Sequence, residues 1–306
     1  MTDLSTDRPA YAEEGAFDSG HAVIGIDLGG TKVDIAVAQL DGTVVGSTRI
    51  STDASSGARA VIRRALDAAA QLAAGRSITA VAIGAPGIVE DSVISLAPNI
   101  PGLDGMDILT PVGEHFPGAS VTVVNDLNAA AFAELHGGAL DGVGTGLIVG
   151  LGTGIAAGVI VGGVLQSGAG GAAGEIGQAL VPSTVPPVIL ERFAGGAAFD
   201  SLARGMGLTG ANDLLDRARH DTMLAELVEP RLSALVSVIE VSCLLLNPAR
   251  IAFFGGLAGS ALLREFVSSN LAERLPQETG LFWAGRGDNP ALRGAIGYAL
   301  DSLGRR

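Results

Sequence analysis

A strand–turn–strand unit occurs twice in the chain, once near the beginning of each half. The first copy reads IDLGGTKVDIAVAQLDG and the second reads VGLGTGIAAGVIVGG. Each copy has an apolar run, a turn containing Gly and Thr, a second apolar run and a further glycine turn. A duplicated unit of this kind predicts an α/β protein whose two similar domains grip one ligand between them.

The rest of the chain alternates between strand-like and helix-like segments. Apolar runs predict strands over residues 21–28, 33–37, 43–50, 78–83, 121–124, 147–151, 155–161 and 251–254. Apolar residues at helical spacing predict helices over residues 61–73, 127–135, 231–246 and 258–271.

These elements suggest a division into two domains and a tail. We expect residues 1–20 to be a disordered tail, because they are polar and acidic. We expect residues 21–125 together with 291–306 to form a smaller N-terminal α/β domain. Residues 126–290 are then the larger C-terminal α/β domain.

Charge and cysteine content exclude several classes of function. The formal net charge is −13, which argues against nucleic acid or an anionic membrane as a partner. Cys243 is the only cysteine, so an internal disulfide and a cysteine-rich metal site are excluded. The polar, acidic N-terminus does not resemble a secretion signal, so we expect a cytoplasmic location.

Residues 142–174 carry no charge and are long enough to suggest a membrane span. Glycine recurs every few positions in this segment, however, and divides it into short strand-like pieces. No Lys or Arg lies between Arg76 and Arg192 to flank a span. The segment is therefore predicted to be a buried hairpin.

The glycine turns of the two repeated units predict a phosphate site. Glycines let the backbone approach a phosphate closely and direct N–H groups at it. In the first turn, DLGGTK, Thr31 adds a hydroxyl, Lys32 a charge, and Asp27 a hard oxygen for Mg²⁺ or its waters. Gly152-Thr153-Gly154 is the matching turn in the second half. An ordinary hairpin explains either turn alone, whereas the pair predicts a two-sided phosphate clamp.

Two interpretations fit Asp126, which stands in the sequence Asn125-Asp126-Leu127-Asn128 between a predicted strand and a predicted helix. It is in place either to cap the helix N-terminus or to act as a carboxylate at the mouth of a cleft that accepts a hydroxyl proton.

Two further groups of residues suit a sugar and a nucleotide. Glu175, Gln178 and Glu191 follow the long uncharged stretch and could bind vicinal hydroxyls, although, taken alone, they are better explained as exposed polar residues of a loop. Gly255-Gly256 lies between a predicted strand and helix, where a base and ribose can rest on bare backbone.

Taken in order, the motifs are DLGGTK, GAPG, PN, NDLNAA, GLGTGIAAG, GEIG, LE, NPARIAFFGG and GAIGYA, spread over about residues 22–300. This series resembles the ROK family of bacterial sugar kinases and sugar-responsive repressors. The resemblance implies a two-domain actin/hexokinase-like (ribonuclease H-like) fold with the active-site cleft between the domains. It also implies ATP-dependent phosphorylation of a hydroxyl of a hexose, either glucose or a related sugar or amino sugar.

The resemblance also assigns roles to residues. Asp126 matches the catalytic base, and Asp27 matches a ligand of Mg²⁺, held directly or through water. The positions that match the family's sugar site are Gly87, Asn99, Asn125, Asp126, Glu175, Gln178 and Glu191. The positions that match its ATP site are Asp27, Gly29, Gly30, Thr31, Lys32, Gly152, Thr153, Gly154, Gly255 and Gly256. ATP and Mg²⁺ are the implied cofactors, and a homodimer is one expected assembly because dimers are common in the family.

The chain departs from the family pattern in two places. Gln178 stands where the family's GE-x-GH motif has a histidine that touches the sugar. The family's cysteine-rich zinc loop is absent between Gln178 and Glu191, so no structural zinc is expected. The acidic tail also cannot supply the helix-turn-helix of the repressor branch.

Three functions remain open at this point. The first is a sugar kinase, with the identity of the hexose and the choice of ATP or polyphosphate as donor undetermined. The second is a catalytically weak sugar sensor that binds a protein partner, which would fit Gln178 and the absent zinc loop. The third is an acyl-phosphate kinase or phosphatase, which would need a second basic residue in the cleft.

Overall fold

The computed structural model describes residues 20–97, 99–182, 186–276, 278–284 and 289–304. The predicted tail, apart from Gly20, and Pro98 of the PN motif lie outside these residues. The strands are β1 (His21–Leu28), β2 (Lys32–Gln39), β3 (Val44–Ser51), β4 (Ser77–Ala85), β5 (Ile88–Glu90), β6 (Val93–Ser95), β7 (Ser120–Asn125), β8 (Thr145–Leu151), β9 (Ile155–Val161), β10 (Val164–Gln166), β11 (Leu180–Val181), β12 (Val188–Ile189), β13 (Arg250–Phe254) and β14 (Gly280–Trp283). The α-helices are α1 (Ala58–Leu72), α2 (Leu109–His115), α3 (Asp126–Leu135), α4 (Leu190–Ala194), α5 (Gly196–Gly205), α6 (Ala211–Ala218), α7 (Thr222–Leu246), α8 (Ala261–Arg274) and α9 (Pro290–Asp301).

The N-terminal sheet has the strand order β3-β2-β1-β4-β7. The first three strands are antiparallel, since Asp41-Gly42 turns the chain back with Gly42 at φ 84°. Strands β4 and β7 run parallel to β1. Apolar side chains of α1 cover one face of this sheet and those of α9 cover the other.

The C-terminal sheet has the order β10-β9-β8-β13-β14. Its centre is the hairpin of β8 and β9, as predicted for the uncharged segment, and β13 and β14 run parallel to β8. Helices α4 to α8 pack around the core on one face, and α3 covers the other. No helix in the described ranges combines the length and apolar character needed to cross a membrane.

The two sheets are joined where α3 crosses α9. Helix α3 follows β7 of the N-terminal sheet directly and packs on the C-terminal sheet, while α9 packs on the N-terminal sheet. Gly294 of α9 lies against the backbone of Ala129 in α3. A Cβ atom placed on Gly294 would lie 1.6 Å from the Ala129 carbonyl oxygen. Only glycine allows the two helix backbones to touch in this way.

The predicted start of one helix was wrong. The sequence pattern predicted a helix over residues 231–246, but α7 begins at Thr222 and contains Pro230. Asp221 caps this earlier start, since its Oδ1 accepts hydrogen bonds from the N–H groups of Met223 and Leu224. An apolar face that includes Leu224 is buried before the proline, and this burial offsets the hydrogen bond that Pro230 removes.

We expect Gly294→Ala to lower the free energy of unfolding by about 2 kcal/mol or more, because its methyl group would force α3 and α9 apart. Gly113→Ala is the matched control: Gly113 is an exposed residue of α2, and an added Cβ meets no atom within 4 Å. That change should stabilise the protein by up to about 1 kcal/mol. Denaturant unfolding measures both values, and equal effects of the two substitutions would contradict the close crossing.

Candidate active site

A row of residues crosses the N-terminal sheet at the end of its strands. The strand pairing places Arg49 opposite Asp34, Asp34 opposite Asp27, Asp27 opposite Gly84, and Gly84 opposite Val124. Neighbouring strands are about 4.8 Å apart, so the row brings side chains from five strands into one line. The sequence analysis identified Asp27 but missed the rest of this row.

Gly84 lies in the row between Asp27 and the start of α3, and α3 packs close to it. Asp126 follows Val124 by two residues and is the first residue of α3. A Cβ atom placed on Gly84 would lie 3.4 Å from the Cα atom of Asp126. The carboxylates are close enough that the charge of Asp27 contributes to raising the pKa of Asp126.

The helix-capping interpretation of Asp126 was wrong, because Asn125 is the N-cap of α3. The Oδ1 atom of Asn125 accepts a hydrogen bond from the backbone N–H of Asn128 at 3.0 Å. Its Nδ2 donates to the carbonyl oxygen of Gly87 at 2.7 Å. Asp126 Oδ1 instead accepts from the N–H of Leu127, at 2.7 Å. The carboxylate of Asp126 is therefore held at the N-terminus of the helix without being used as its cap.

Burial and neighbouring charge raise the pKa of Asp126 to about 7. Burial is the largest cause, because it disfavours the ionised carboxylate, and the negative charges of Asp27 and Glu175 act in the same direction. The hydrogen bond from Leu127 acts in the opposite direction. A carboxylate with a pKa near neutrality suits proton transfer at physiological pH.

Asp27 belongs to a network of polar side chains that continues away from the cleft. Asn289 donates a hydrogen bond to Asp27 Oδ2 at 2.9 Å, and Arg49 binds Asp34 through Nε at 2.5 Å and Nη2 at 3.0 Å. Burial, opposed by the Asn289 hydrogen bond, raises the pKa of Asp27 to about 6, and the charge of Asp34 adds to the rise. Asp34 carried one sequence signal, a charged residue at an apolar position of a strand.

The first glycine turn is closed by its own backbone and by Thr52. The N–H of Gly29 donates to the carbonyl oxygen of Lys32 at 3.0 Å, and Thr52 Oγ1 donates to the carbonyl oxygen of Gly29 at 2.6 Å. Asn99 lies against this turn, since a Cβ atom on Gly30 would be 3.3 Å from the Cβ atom of Asn99. The exposed side chain of Lys32 places Nζ 3.9 Å from Asp34 Oδ2.

The second glycine turn is held by the first residues of α5. The N–H groups of Gly196 and Ala197 donate to the carbonyl oxygens of Gly152 and Thr153, each at 3.0 Å. Within the described ranges, the N–H groups of Thr153 and Gly154 have no protein acceptor. These two N–H groups are therefore available to an anionic ligand such as a phosphate.

Gly255 brings the third glycine loop onto the second turn. Its φ of 101° is in the region that favours glycine. A Cβ atom there would lie 2.6 Å from the carbonyl oxygen of Leu151 and 2.9 Å from the backbone nitrogen of Gly152. Gly255 and the turn at Gly152 thus form one continuous backbone surface, with the neighbouring Gly256 exposed beside it. Among the described residues, hydrogen bonds tie the first turn to Thr52 and the second turn to α5, and none joins those two turns to each other.

A short hairpin brings Gln178 and Glu191 together in place of the zinc loop. Gln178 ends a 3-10 helix and is exposed, β11 and β12 pair immediately after it, and α4 begins beside Glu191. The N–H of Leu190 donates to the carbonyl oxygen of Ala179 at 2.8 Å, which closes the hairpin.

The partly buried carboxylate of Glu191 connects this hairpin to the second glycine turn. Glu191 Oε2 accepts a hydrogen bond from the N–H of Ile155 at 2.9 Å. The same carboxylate leaves no room for a side chain at Gly154. Burial raises the pKa of Glu175, and the charge of Glu191 adds to the rise, so the two carboxylates lie near each other. Glu175, Gln178 and Glu191 thus lie in one region, and Glu191 contacts the second glycine turn.

The residues at the first turn fit Mg²⁺ bound together with phosphates. Across the described ranges, no group of three or more His, Cys, Asp or Glu residues could enclose a metal ion. Mg²⁺ commonly uses one or two carboxylates plus substrate phosphates and waters. Asp27 supplies one such carboxylate, and the Asn289 hydrogen bond to Oδ2 leaves its Oδ1 atom available.

The chain is similar to known sugar kinases and to a transcriptional regulator. The chain is 34% identical over 198 residues to N-acetylmannosamine kinase from Escherichia coli O1:K1, an alignment that covers 62% of this chain and 66% of the kinase. A ROK family glucokinase from Streptomyces griseus, solved in complex with glucose and AMPPNP, has a TM-score of 0.78 at 24% identity, covering 92% of this chain and 99% of that one. A ROK family transcriptional regulator has a TM-score of 0.74 at 23% identity, covering 92% of this chain and 79% of the regulator.

The fold is that of the actin/hexokinase-like proteins, as the sequence resemblance implied. The model of the ROK family matches residues 23–302, almost the whole described chain. The chain belongs to the ROK family, which confirms the family resemblance drawn from its motifs.

Proposed function

We propose that this protein transfers the γ-phosphoryl group of ATP to a hydroxyl of a hexose, with Asp126 as the general base. The observation that carries this proposal is the carboxylate of Asp126, which has a pKa of about 7 and lies close enough to Asp27 for the charge of Asp27 to contribute to that rise. A carboxyl of this pKa is ionised in a substantial fraction of molecules near pH 7 and can accept a proton there.

On the nucleotide side, the two glycine turns and Gly255-Gly256 would hold ATP through backbone N–H groups and bare backbone surface. Asp27 would hold Mg²⁺, which neutralises the charge of the triphosphate when bound. The Streptomyces griseus complex with AMPPNP supports ATP as the donor in this proposal.

On the sugar side, Glu175, Gln178 and Glu191 would bind hydroxyls from the hairpin, and Asn99 would do so from beside the first turn. The amide of Asn125 already bonds to Gly87 and to the backbone of α3. One N–H of its Nδ2 remains for the sugar, so Asn125 would both hold Asp126 in place and contact the substrate. The glucose complex and the N-acetylmannosamine kinase relative favour a hexose or an amino sugar.

The proposed division of the chain places this site between two domains. Residues 21–125 with 291–306 contain the N-terminal sheet and Asp27, while residues 126–290 contain Asp126 and the hairpin. Closure of such a cleft around both substrates would exclude water and limit hydrolysis of ATP.

A catalytically weak sugar sensor is the second candidate, favoured by the similarity to a ROK transcriptional regulator and by Gln178 in place of the family histidine. A coupled ADP-release assay over a panel of hexoses and amino sugars separates the two functions. Sugar-dependent ADP release with a phosphosugar product supports the kinase. Sugar binding without ADP release supports the sensor.

Asp126→Asn should lower kcat by about 10²–10⁴-fold, because the amide cannot accept the hydroxyl proton. Sugar affinity should change little, since shape and hydrogen bonding are largely kept. The melting temperature at pH 8 should be equal or higher, because an ionised carboxylate with a raised pKa destabilises the folded state above its unfolded pKa. Asp216→Asn, on the exposed side of α6, is the control and should leave all three values unchanged. A near-normal kcat for Asp126→Asn would refute its role as the base.

The pH dependence of kcat/KM should show an acidic limb with a midpoint near pH 7. Below this pH the carboxylate of Asp126 is protonated and cannot act as a base, so the rate should fall about tenfold per pH unit. Sugar binding measured directly over the same range provides the control. A limb near pH 4, the ordinary value for an aspartate, would show that the reacting base is not the buried Asp126.

Gln178→His should change the ratios of kcat/KM among hexoses and their epimers. An imidazole and an amide can both donate and accept hydrogen bonds, but they differ in reach and in the ability to carry charge. Gln71→His, at an exposed position of α1, is the matched control and should leave the ratios unchanged. Identical ratios in the Gln178 variant and the wild type would place Gln178 outside the sugar site.

A further inference from the structure

Asn289 takes no part in the mechanism proposed above, yet its side chain forms hydrogen bonds with the carboxylate of Asp27 and with the N-terminus of a helix. It is the N-cap of α9, where Oδ1 accepts a hydrogen bond from the N–H of Leu292 at 3.1 Å. Its Nδ2 lies 2.9 Å from Asp27 Oδ2 and 2.9 Å from Asp34 Oδ2. One amide group therefore donates to two carboxylates while its oxygen caps the helix.

The two carboxylates on either side of this amide need a donor between them, because like charges at this spacing repel. Asp34 has other partners: Arg49 binds it with two hydrogen bonds, and Lys32 lies 3.9 Å away. In the described part of the chain, the Asn289 amide makes the only hydrogen bond to the Asp27 side chain. The orientation of the Asp27 carboxylate therefore depends on Asn289, which occupies Oδ2 and leaves Oδ1 available.

Helix α9 also connects Asn289 to the helix that carries Asp126. Gly294 of α9 touches the backbone of Ala129 in α3, and Asp126 is the first residue of α3. The N-cap of one helix thus holds Asp27, and the body of the same helix supports the element that holds Asp126.

We propose that Asn289 is a positioning residue that orients the Asp27 carboxylate. In this orientation the Oδ1 atom of Asp27 is available to the magnesium–nucleotide, and the carboxylate keeps a fixed position relative to Asp126. This inference rests on the proposed role of Asp27 in nucleotide binding. It extends that role to a residue 262 positions away in sequence, which acts only through Asp27 and does not touch the substrate.

Substitutions at Asn289 separate positioning from helix capping. Asn, Asp and Ser cap helices about equally well, and Ala caps poorly. Asn289→Ser keeps a cap but loses the bridging amide, while Asn289→Asp keeps the cap and replaces the donor with a third carboxylate. A positioning role predicts that nucleotide affinity is highest with Asn at position 289, lower with Ser and lowest with Asp. Capping alone predicts that Asn, Ser and Asp are equal and that only Ala is impaired.

The measurement is calorimetric binding of AMPPNP in the presence of Mg²⁺, with sugar binding and melting temperature recorded on the same samples. We expect Asn289→Ser to weaken AMPPNP binding by about tenfold and Asn289→Asp to weaken it further, with sugar affinity unchanged, because a small displacement of a positioned group has large effects. AMPPNP affinities for Ser and Asp equal to the wild type would overturn the proposal. If Asn289→Asp does not fold, the Ser variant decides.

Two reference variants keep this result distinct from the proposed function. Asp27→Asn should weaken AMPPNP binding in Mg²⁺ by a similar factor, and if it has no effect, the role of Asp27 in nucleotide binding itself fails. If Asp27→Asn weakens binding but the Asn289 variants do not, only the positioning role fails. Asp221→Ala removes the cap of α7 and should lower the melting temperature without changing AMPPNP affinity.

Discussion

The candidate site depends on how two partly buried carboxylates, Asp27 and Asp126, are held near each other. Burial is the main cause of the raised pKa of both groups; the charge of Asp34 adds to the rise for Asp27, and the charge of Asp27 adds to the rise for Asp126. Gly84 lies beside Asp27 in the sheet, and a Cβ atom placed on it would be in van der Waals contact with Asp126. Hydrogen bonds from Asn289 to Asp27 and from Leu127 to Asp126 stabilise the ionised forms in part. With these opposing effects, the pKa of Asp27 is about 6 and that of Asp126 is about 7. Carboxyl groups with such pKa values can transfer protons or bind a cation near neutral pH.

The organisation of this site follows from two general properties of α/β proteins. Parallel strands β1, β4 and β7 bring the residues at their carboxyl ends to one edge of the sheet, which is why Asp27 and Asp126 meet although about a hundred residues separate them. Close contacts between the glycines of the turns and neighbouring backbone segments of the same chain then fix the conformation of the turns. Glu191 extends this organisation, because its carboxylate lies at both the β11–β12 hairpin and the second glycine turn.

Sequence reasoning identified the parts of the site that have a local pattern. The two glycine turns, the strand that ends at Asp126 and the GEIG segment could be found because their residue types are unusual within a few positions. The role of Asn289 could not be found, because its partners Asp27 and Asp34 lie more than 250 residues away and helix capping alone explains an Asn before a Pro. The sequence left capping open as one role of Asp126, because Asp and Asn both cap well; in the structure Asn125 is the cap of α3. The sequence did not predict the early start of α7, because Pro230 removes a hydrogen bond inside the helix and is read as a helix breaker. The burial of apolar residues before Pro230 offsets this loss and is not visible in the sequence.

The contact between Gly294 and Ala129 also limits how the two sheets can move. Helices whose backbones already touch cannot approach further, but they can pivot about the point of contact. Asp126 lies three residues before Ala129 and Asn289 five residues before Gly294, which is about 5 Å and about 8 Å along the helix axes. Both carboxylates are therefore anchored close to the pivot. If one sheet rotated against the other, the outer strands would move furthest. The distance between Asp27 and Asp126 would change least, because both residues lie close to the axis of rotation.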